Sequence, residues 1–414
     1  MTTPASVATP PRESRGRAAG CLLLLVAAVQ LVLGPLLQLS QWDLSAERNA
    51  GVAEAVSWLS GRADLPHADD PLHHRLHDTA LFRGRVFNIF PPLIGFFTIG
   101  LAPVHRLLLG RVDLWLGPVY VLAAYGPVVI LAYLLLRRES NDSAWGALLA
   151  LGYLGGTALL PMCFHARFGQ AVHLNHVLSQ TGLLLLTWDA LGRRRVWPGL
   201  IGLALATWSR QMTLLYALPL LWLARRRGRL GAACAGAAVI VAPLLALNWV
   251  KFGSPFDSGY RYVYAGRDDF LSHRAAAHGL FSPHFVAQNA WFMHAALPVP
   301  RLSGDGVRFE TDELGASIWF TSPMLLYVFV AARRWWADPA RRGLMLASLA
   351  VMAGHLLYHN TGYVQPGYSR FALDFIPVWL AVAAPATRGG IRTPFTLAAT
   401  AWSLLYFQSL GLRM

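Results

Sequence analysis

Carboxylates that could act as a general base follow the first long apolar segment of the sequence. Asp43 and Glu47 lie four residues apart, a spacing that places both side chains on one face of a helix. Acids that lie close together at a low-dielectric boundary hold protons more tightly, which suits a base for a substrate hydroxyl. A third acid, Asp78, precedes Arg85 and a Pro-Pro pair. For each acid taken singly, a solvated loop residue is the simpler interpretation.

The same stretch is rich in histidine but has no spacing typical of a zinc site. HEXXH is absent, and His73, His74 and His77 have no second cluster at a fixed offset. We therefore expect structural or solvent-facing histidines, with no metal and no other cofactor. A divalent cation held by Asp78 and His77 remains the alternative.

Four arginines stand apart from the other basic residues: Arg85, Arg210, Arg261 and Arg370. An arginine at a membrane boundary often does no more than extend its charge to the lipid head groups. Several guanidinium groups at one interface can instead bind a lipid-linked phosphate and stabilise the charge of a leaving phosphate. We predict that these four arginines, with Tyr260 in the segment FGSPFDSGYRY, bind substrate.

The elements that must position these residues are membrane helices. The chain has 414 residues, of which 55% are hydrophobic, well above an ordinary soluble domain. Crossing a hydrocarbon core takes roughly 20 apolar helical residues. The sequence therefore predicts an all-α, polytopic transmembrane bundle, with clear apolar segments at residues 21 to 40, 113 to 136, 143 to 163, 231 to 250 and 314 to 332.

The formal charge of +14 follows this topology. The basic residues form short clusters between apolar segments, which is the pattern of cytoplasmic loops and argues against nucleic-acid binding. The clusters are Arg12, Arg15 and Arg17; Arg137 and Arg138; Arg193 to Arg195; Arg225 to Arg229; Arg333 to Arg342; and Arg388 and Arg392.

Placing every cluster inside requires an even number of crossings between clusters. Segment 89 to 105 must then be a re-entrant or surface helix, because it is short and carries three prolines. Segment 197 to 224 must be two short helices that meet at residues 209 to 211. Arg210 would lie below the outer surface, neutralised by a phosphate, a carboxylate or backbone carbonyls. With a phosphate as its partner, Arg210→Met should fold at least as well as the wild type.

About 11 spans result, with the amino terminus cytoplasmic and the carboxyl terminus outside. The first span is expected to be an uncleaved signal anchor. We predict a cytoplasmic leader at residues 1 to 20, a transmembrane catalytic domain at 21 to 386 and a terminal span at 387 to 414. The catalytic domain would contain external loop one, 41 to 112, and external loop two, 251 to 313.

The order of motifs resembles a known family. A signal-anchor span with an acid just outside it precedes DTALFRGRVFNIFPPL, followed by NWVKFGSPFDSGY and GYVQPGYSRFALDFIPVW. This order is similar to bacterial GT-C type membrane glycosyltransferases, relatives of the protein mannosyltransferases and the lipid A aminoarabinose transferase. The resemblance covers residues 21 to 386. It implies a polyprenyl-phosphate sugar donor, an active site at the bilayer surface in external loop one, and inversion at the sugar carbon.

The resemblance leaves the base open among three acids. The family commonly has an adjacent Asp-Glu pair, whereas Asp43 and Glu47 are separated here. Asp78 matches the acid of a pattern in which Gly-Arg and Pro-Pro follow. The expected partners are a polyprenyl-phosphate-linked sugar, a glycan, lipid or protein acceptor, and membrane lipid, in a bacterial inner membrane. The alternatives are a lipid or solute transporter or flippase, and a structural or assembly protein.

Overall fold

A computed structural model of the chain describes residues 14–38, 44–45, 49–65, 79–115, 117–166, 171–192, 195–264, 268–303, 306–362 and 366–411. The fold is mostly helical, as predicted. In chain order the helices and strands are α1 (Arg15–Gln38), β1 (Leu44–Ser45), α2 (Ala50–Leu59), β2 (Thr79–Phe82), β3 (Arg85–Asn88), α3 (Leu93–Leu109), β4 (Leu114–Trp115), α4 (Gly117–Ser140), α5 (Ser143–Gly155), α6 (Leu159–Ala166), α7 (Ala171–Leu191), α8 (Trp197–Thr207), α9 (Ala217–Arg225), α10 (Leu230–Phe252), α11 (Tyr260–Val263), α12 (Phe270–His278), α13 (Val286–Ala290), β5 (Val299–Ser303), β6 (Gly306–Glu310), α14 (Ile318–Thr321), α15 (Tyr327–Val330), α16 (Ala332–Ala337), α17 (Pro339–Leu357), α18 (Ile376–Ala383) and α19 (Arg392–Gly411).

Several helices are long and apolar enough to cross a membrane, which indicates an integral membrane protein. Within the described ranges there are three, at Arg15–Gly34, Val119–Ser140 and Leu230–Phe252. The pair α5 and α6, bent by 50°, would make a fourth. These match four of the clear apolar segments of the sequence. The predicted total of about 11 spans is not confirmed, because much of the remaining helix is short.

The short helices come from breaks inside apolar sequence. The break predicted between residues 197 and 224 is confirmed: α8 ends at Thr207, a 3-10 turn spans Gln211–Tyr216, and α9 follows. The predicted continuous segment 314 to 332 is wrong, because α14 ends at Thr321 and a 3-10 turn begins at Pro323. Proline lacks the N–H that a continuing helix needs, so the chain restarts there. Helix α3 has 17 residues and contains a proline; its position relative to the bilayer stays a prediction.

The described strands form small antiparallel pairs, β1 with β4, β2 with β3, and β5 with β6. The hairpin β2–β3 matters for the site because it ends at Asn88, two residues before Phe90 and three before Pro91. Its tight turn places Arg83 and Gly84 at positive φ angles of 52° and 73°. Glycine adopts this conformation without strain, which explains its presence in the turn.

The core is built on α4, α5, α7 and α8. Helices α7 and α8 approach so closely that a Cβ atom on Gly182 would overlap the backbone nitrogen of Ala206. Tyr125 on α4 donates a hydrogen bond of 2.9 Å to the carbonyl of Leu154 on α5. This packing holds the middle of α7 beside the end of α8.

Candidate functional site

The break after α8 places Arg210 at the wall of a cavity. The backbone at Arg210 is extended, with φ −142° and ψ 98°. Its N–H donates to the carbonyl of Ala206 at 2.7 Å, and its own carbonyl accepts from the Thr213 hydroxyl at 2.7 Å. The break therefore satisfies its backbone groups locally, which frees the arginine side chain to point away from the helix axis.

The charge of Arg210 is balanced by Asp374. The arginine Nε lies 3.3 Å and 3.2 Å from the two carboxylate oxygens, and Nη2 lies 3.2 Å from Oδ2. His355 Nε2 also lies 2.9 Å from that oxygen. Asp374 is fully buried, whereas the Arg210 side chain is 16% exposed. Of the three partners expected for Arg210, the structure therefore supplies a carboxylate.

An aromatic ring holds both cavity arginines in place. The guanidinium carbon of Arg210 lies 5.1 Å from the centre of the Phe371 ring, and that of Arg370 lies 5.4 Å from it. The ring of His355 stacks on Phe371 at 4.9 Å with an angle of 6°. Cations over an aromatic face are attracted by its quadrupole. Phe371 thus brings two predicted arginines, which are distant in the sequence, to one surface.

The cavity between these side chains has a volume of about 950 Å³, including the part open to solvent. Arg210, Arg370, His355 and Phe371 line one part of it. Tyr260 also lines it, together with aromatic, amide and hydroxyl side chains from other segments, including Phe90, Asn175, Ser258, Tyr264, Phe281, Tyr358 and Asn360. A basic, partly aromatic cavity of this kind can hold an anion next to a polar organic group.

Two other predicted arginines lie elsewhere. Arg85 begins β3 and is exposed. The pKa of Asp64 is lowered mainly by a hydrogen bond from Arg62, and the nearby charge of Arg85 lowers it slightly further. Arg261 is exposed and pairs with Asp257 at 2.5 Å. Neither is among the described residues that line the cavity, so their binding role stays a prediction.

The Asp257 carboxylate holds the loop around Arg261 together by accepting several hydrogen bonds from it. Burial raises the pKa of Asp257, but hydrogen bonds from the Gly259 N–H, the Tyr262 hydroxyl and Arg261 outweigh this and leave the pKa below its usual value. Gly259 has φ 78°, and a Cβ atom there would overlap the Phe252 ring. The turn therefore requires glycine and sets Tyr260 against the cavity.

The three predicted base candidates, Asp43, Glu47 and Asp78, lie outside the described residues. The same holds for His73, His74 and His77. Within the part of the chain that the structure describes, no group of three or more His, Cys, Asp or Glu side chains is placed to hold a metal ion.

A second buried ion pair lies beside the cavity. Lys251 on α10 donates to Glu54 on α2 at 2.5 Å and to the carbonyl of Asn88 at 2.8 Å. The Asn88 amide in turn donates to the second Glu54 oxygen at 2.8 Å. The three residues link α2, the end of β3 and the end of α10, and both side chains of the ion pair are almost fully buried.

Sequence reasoning missed Asp374, His355 and Asn175. The signal for Asp374 was present, because it is a lone acid in the apolar segment FALDFIPVW, four residues after Arg370. An isolated acid in such a segment usually has a specific partner. His355 gave no local signal, since it stands singly in an apolar helix. Asn175 lies between His173 and His176, and this polar cluster at the start of an apolar helix was the available signal.

No family model and no curated protein matches the chain. A solved structure similar to it is the archaeal oligosaccharyltransferase AglB from Archaeoglobus fulgidus, in complex with an inhibitory peptide and a dolichol-phosphate. The identity is 13% and the TM-score 0.49, over 96% of this chain and 56% of that one. The chain therefore spans little more than half the length of that protein.

Proposed function

We propose that this chain is a membrane glycosyltransferase that moves a hexose or pentose from a polyprenyl-phosphate donor to a glycan, lipid or protein acceptor. The observation that carries the proposal is the meeting of Arg210 and Arg370 over Phe371 in one cavity. Arg210 uses Nε and Nη2 for Asp374, and Nη1 has no hydrogen-bond partner among the described residues. A phosphate oxygen is a suitable partner for this remaining donor.

In the proposed reaction an acceptor hydroxyl attacks the anomeric carbon of the donor sugar. The new C–O bond forms as the bond from that carbon to the phosphate oxygen breaks, which inverts the carbon. The lipid phosphate leaves with the bonding electron pair, and Arg210 and Arg370 stabilise its charge. Glu47, Asp78 or Asp43 takes the hydroxyl proton as general base. Tyr260 contacts the donor, while Arg85 and Arg261 add positive charge near the entrance.

The proposal places the reaction on the periplasmic side of a bacterial inner membrane, with the amino terminus in the cytoplasm. The arginine clusters between apolar segments support this orientation. A reporter fused after residue 60 should therefore report an external position. A cytoplasmic position would contradict the site, because the base candidates would then lie on the opposite side from the acceptor.

The first prediction concerns the acids. Glu47→Gln and Asp78→Asn should each lower sugar transfer by at least about a hundredfold without affecting membrane insertion, because a general base typically contributes that much. The measurement is thin-layer analysis of lipid-linked sugars and glycans in a deletion strain carrying each variant. Full activity in both variants would remove these two acids as bases. Loss of activity in Asp43→Asn alone would assign the base to Asp43.

A further inference from the structure

The cavity contains a buried amide that the proposed chemistry does not use. Asn175 is the fifth residue of α7, is 1% exposed and lines the cavity together with Arg210 and Arg370. Neither its Oδ1 nor its Nδ2 has a hydrogen-bond partner among the residues that the structure describes. Buried polar side chains are nearly always paired, so an amide with both ends unpaired at a cavity wall indicates a ligand.

The chemistry of the amide restricts the class of ligand. Oδ1 accepts hydrogen bonds and Nδ2 donates them, so a single partner that satisfies both must itself donate and accept. An ionised phosphate oxygen accepts only, and a polyprenyl chain does neither. A sugar hydroxyl does both, and a pair of neighbouring hydroxyls can bind the two ends of the amide together.

The position of Asn175 would allow it to contact a group attached to a phosphate that the arginines bind. Arg210 and Arg370 line the same cavity, where both lie against the ring of Phe371. The ring of His176, the residue after Asn175, lies beside the Phe371 ring with centroids 6.1 Å apart. The start of α7 is thus fixed against the surface that carries the arginines, and the amide faces the same space as their guanidinium groups.

We propose that Asn175 binds a hydroxyl of the donor sugar and helps to select which sugar is transferred. The inference rests on the proposed function, in which Arg210 and Arg370 hold the phosphate. Asn175 would then distinguish a sugar-bearing lipid phosphate from a bare one. A residue that only supports the fold would affect both lipids equally.

The test compares two lipids on the purified full chain in detergent. The probes are undecaprenyl phosphate and undecaprenyl phosphate carrying a hexose or a pentose, with affinity measured by native mass spectrometry. Asn175→Leu removes both polar ends at similar volume. It should lower the affinity for the matching sugar lipid about tenfold or more, and that for the bare lipid less than twofold. An equal loss on both lipids would overturn the inference.

Thermal unfolding supplies a second measurement and a matched control. Asn289 is also buried, but its Nδ2 lies within 3.3 Å of the carbonyls of His355, Leu356 and Tyr358. Asn289→Leu should therefore lower the Tm. Asn175→Leu removes no hydrogen bond to a residue that the structure describes and should leave the ligand-free Tm unchanged or higher. A fall as large as that of Asn289→Leu would show a structural amide and overturn the inference.

The design separates this inference from the proposed function. If the wild type binds neither lipid, the phosphate role of the cavity is wrong. The same variants are then measured with methyl glycosides of hexoses and pentoses, by the Tm increase on binding. An increase that Asn175→Leu abolishes supports a sugar site on its own. No increase with any glycoside would overturn it.

Discussion

Two buried ion pairs lie side by side in this protein and differ in what surrounds them. Lys251 is 5% exposed, and its ammonium is enclosed by the Glu54 carboxylate and the Asn88 carbonyl. Arg210 is 16% exposed and meets Asp374 at longer distances of 3.2 and 3.3 Å. Lys251 lines a smaller cavity of about 280 Å³, and Arg210 lines the cavity of about 950 Å³.

The two pairs differ in the size of the cavity beside the cation and in the aromatic ring that supports Arg210. Lys251, Glu54 and Asn88 all bind one another, because the Asn88 amide also donates to Glu54. These bonds link β3 to α2 and α10. Arg210 keeps Nη1 for a further partner and rests on the face of Phe371. A buried ion pair is by itself weak evidence of function. The larger cavity and the aromatic support, more than burial or charge, are therefore the grounds on which Arg210 is proposed as the binding residue.

Removing the cation from each pair is expected to have the largest effect. Arg210→Met and Lys251→Met each leave a buried carboxylate without its cation, so each should lower the free energy of unfolding by about 3 to 5 kcal/mol. The sequence-based expectation that Arg210→Met folds at least as well assumed a phosphate partner, whereas the observed partner is the buried Asp374 carboxylate, which this variant leaves without its cation. Thermal or denaturant unfolding in detergent measures both variants.

Matched double variants test whether the two ion pairs differ in function. Arg210→Met with Asp374→Asn and Lys251→Met with Glu54→Gln both remove the stranded charge, and the new amides can still bond to His355 and Asn88. Both should recover most of the stability. The Lys251 double variant should also recover binding of undecaprenyl phosphate, whereas the Arg210 double variant should bind about a hundredfold more weakly than the wild type. Equal binding by the two would make Arg210 as structural as Lys251.

Much of the helical fold could be predicted because its signals are local. The spans near α1, α4 and α10 are long apolar segments flanked by arginine clusters, and hydrophobic length alone identifies them. The break around Arg210 followed from charge parity. The split at Pro323 was missed because apolar residues continue on both sides of it, although proline was the available warning.

The site was less predictable because its contacts are distant in sequence. Arg210 and Asp374 are 164 residues apart, and His355 reaches the same carboxylate from another helix. No local pattern encodes such pairs. Arg370 and Tyr260 were identified from motifs and do line the cavity, whereas Arg85 and Arg261 share the same residue type but face solvent. Residue type could therefore suggest candidates, and the fold decides which of them meet.

A smaller effect is expected when the charge of Arg210 is kept. Arg210→Lys retains a cation for Asp374, so most of the stability should remain. It loses the planar fork that can contact Asp374 and a phosphate at the same time. We expect about a tenfold lower affinity for undecaprenyl phosphate, with a Tm closer to that of the wild type than to that of Arg210→Met. An unchanged affinity would mean that a positive charge at this position is enough to bind the phosphate. Arg210 would then differ from Lys251 only in its greater exposure.

The smallest effect is expected at Arg261, which tests whether the comparison extends to the protein surface. Its guanidinium pairs with Asp257 and the Tyr262 hydroxyl and is exposed to solvent. Its influence on a phosphate in the cavity is therefore long-range and screened by salt. Arg261→Gln should lower undecaprenyl phosphate affinity about twofold in low salt and leave it unchanged in high salt. Arg210→Lys should keep its larger loss in both. A tenfold, salt-insensitive loss at Arg261 would instead place its side chain in direct contact with the bound lipid, and the binding surface would then include the loop that carries Tyr260.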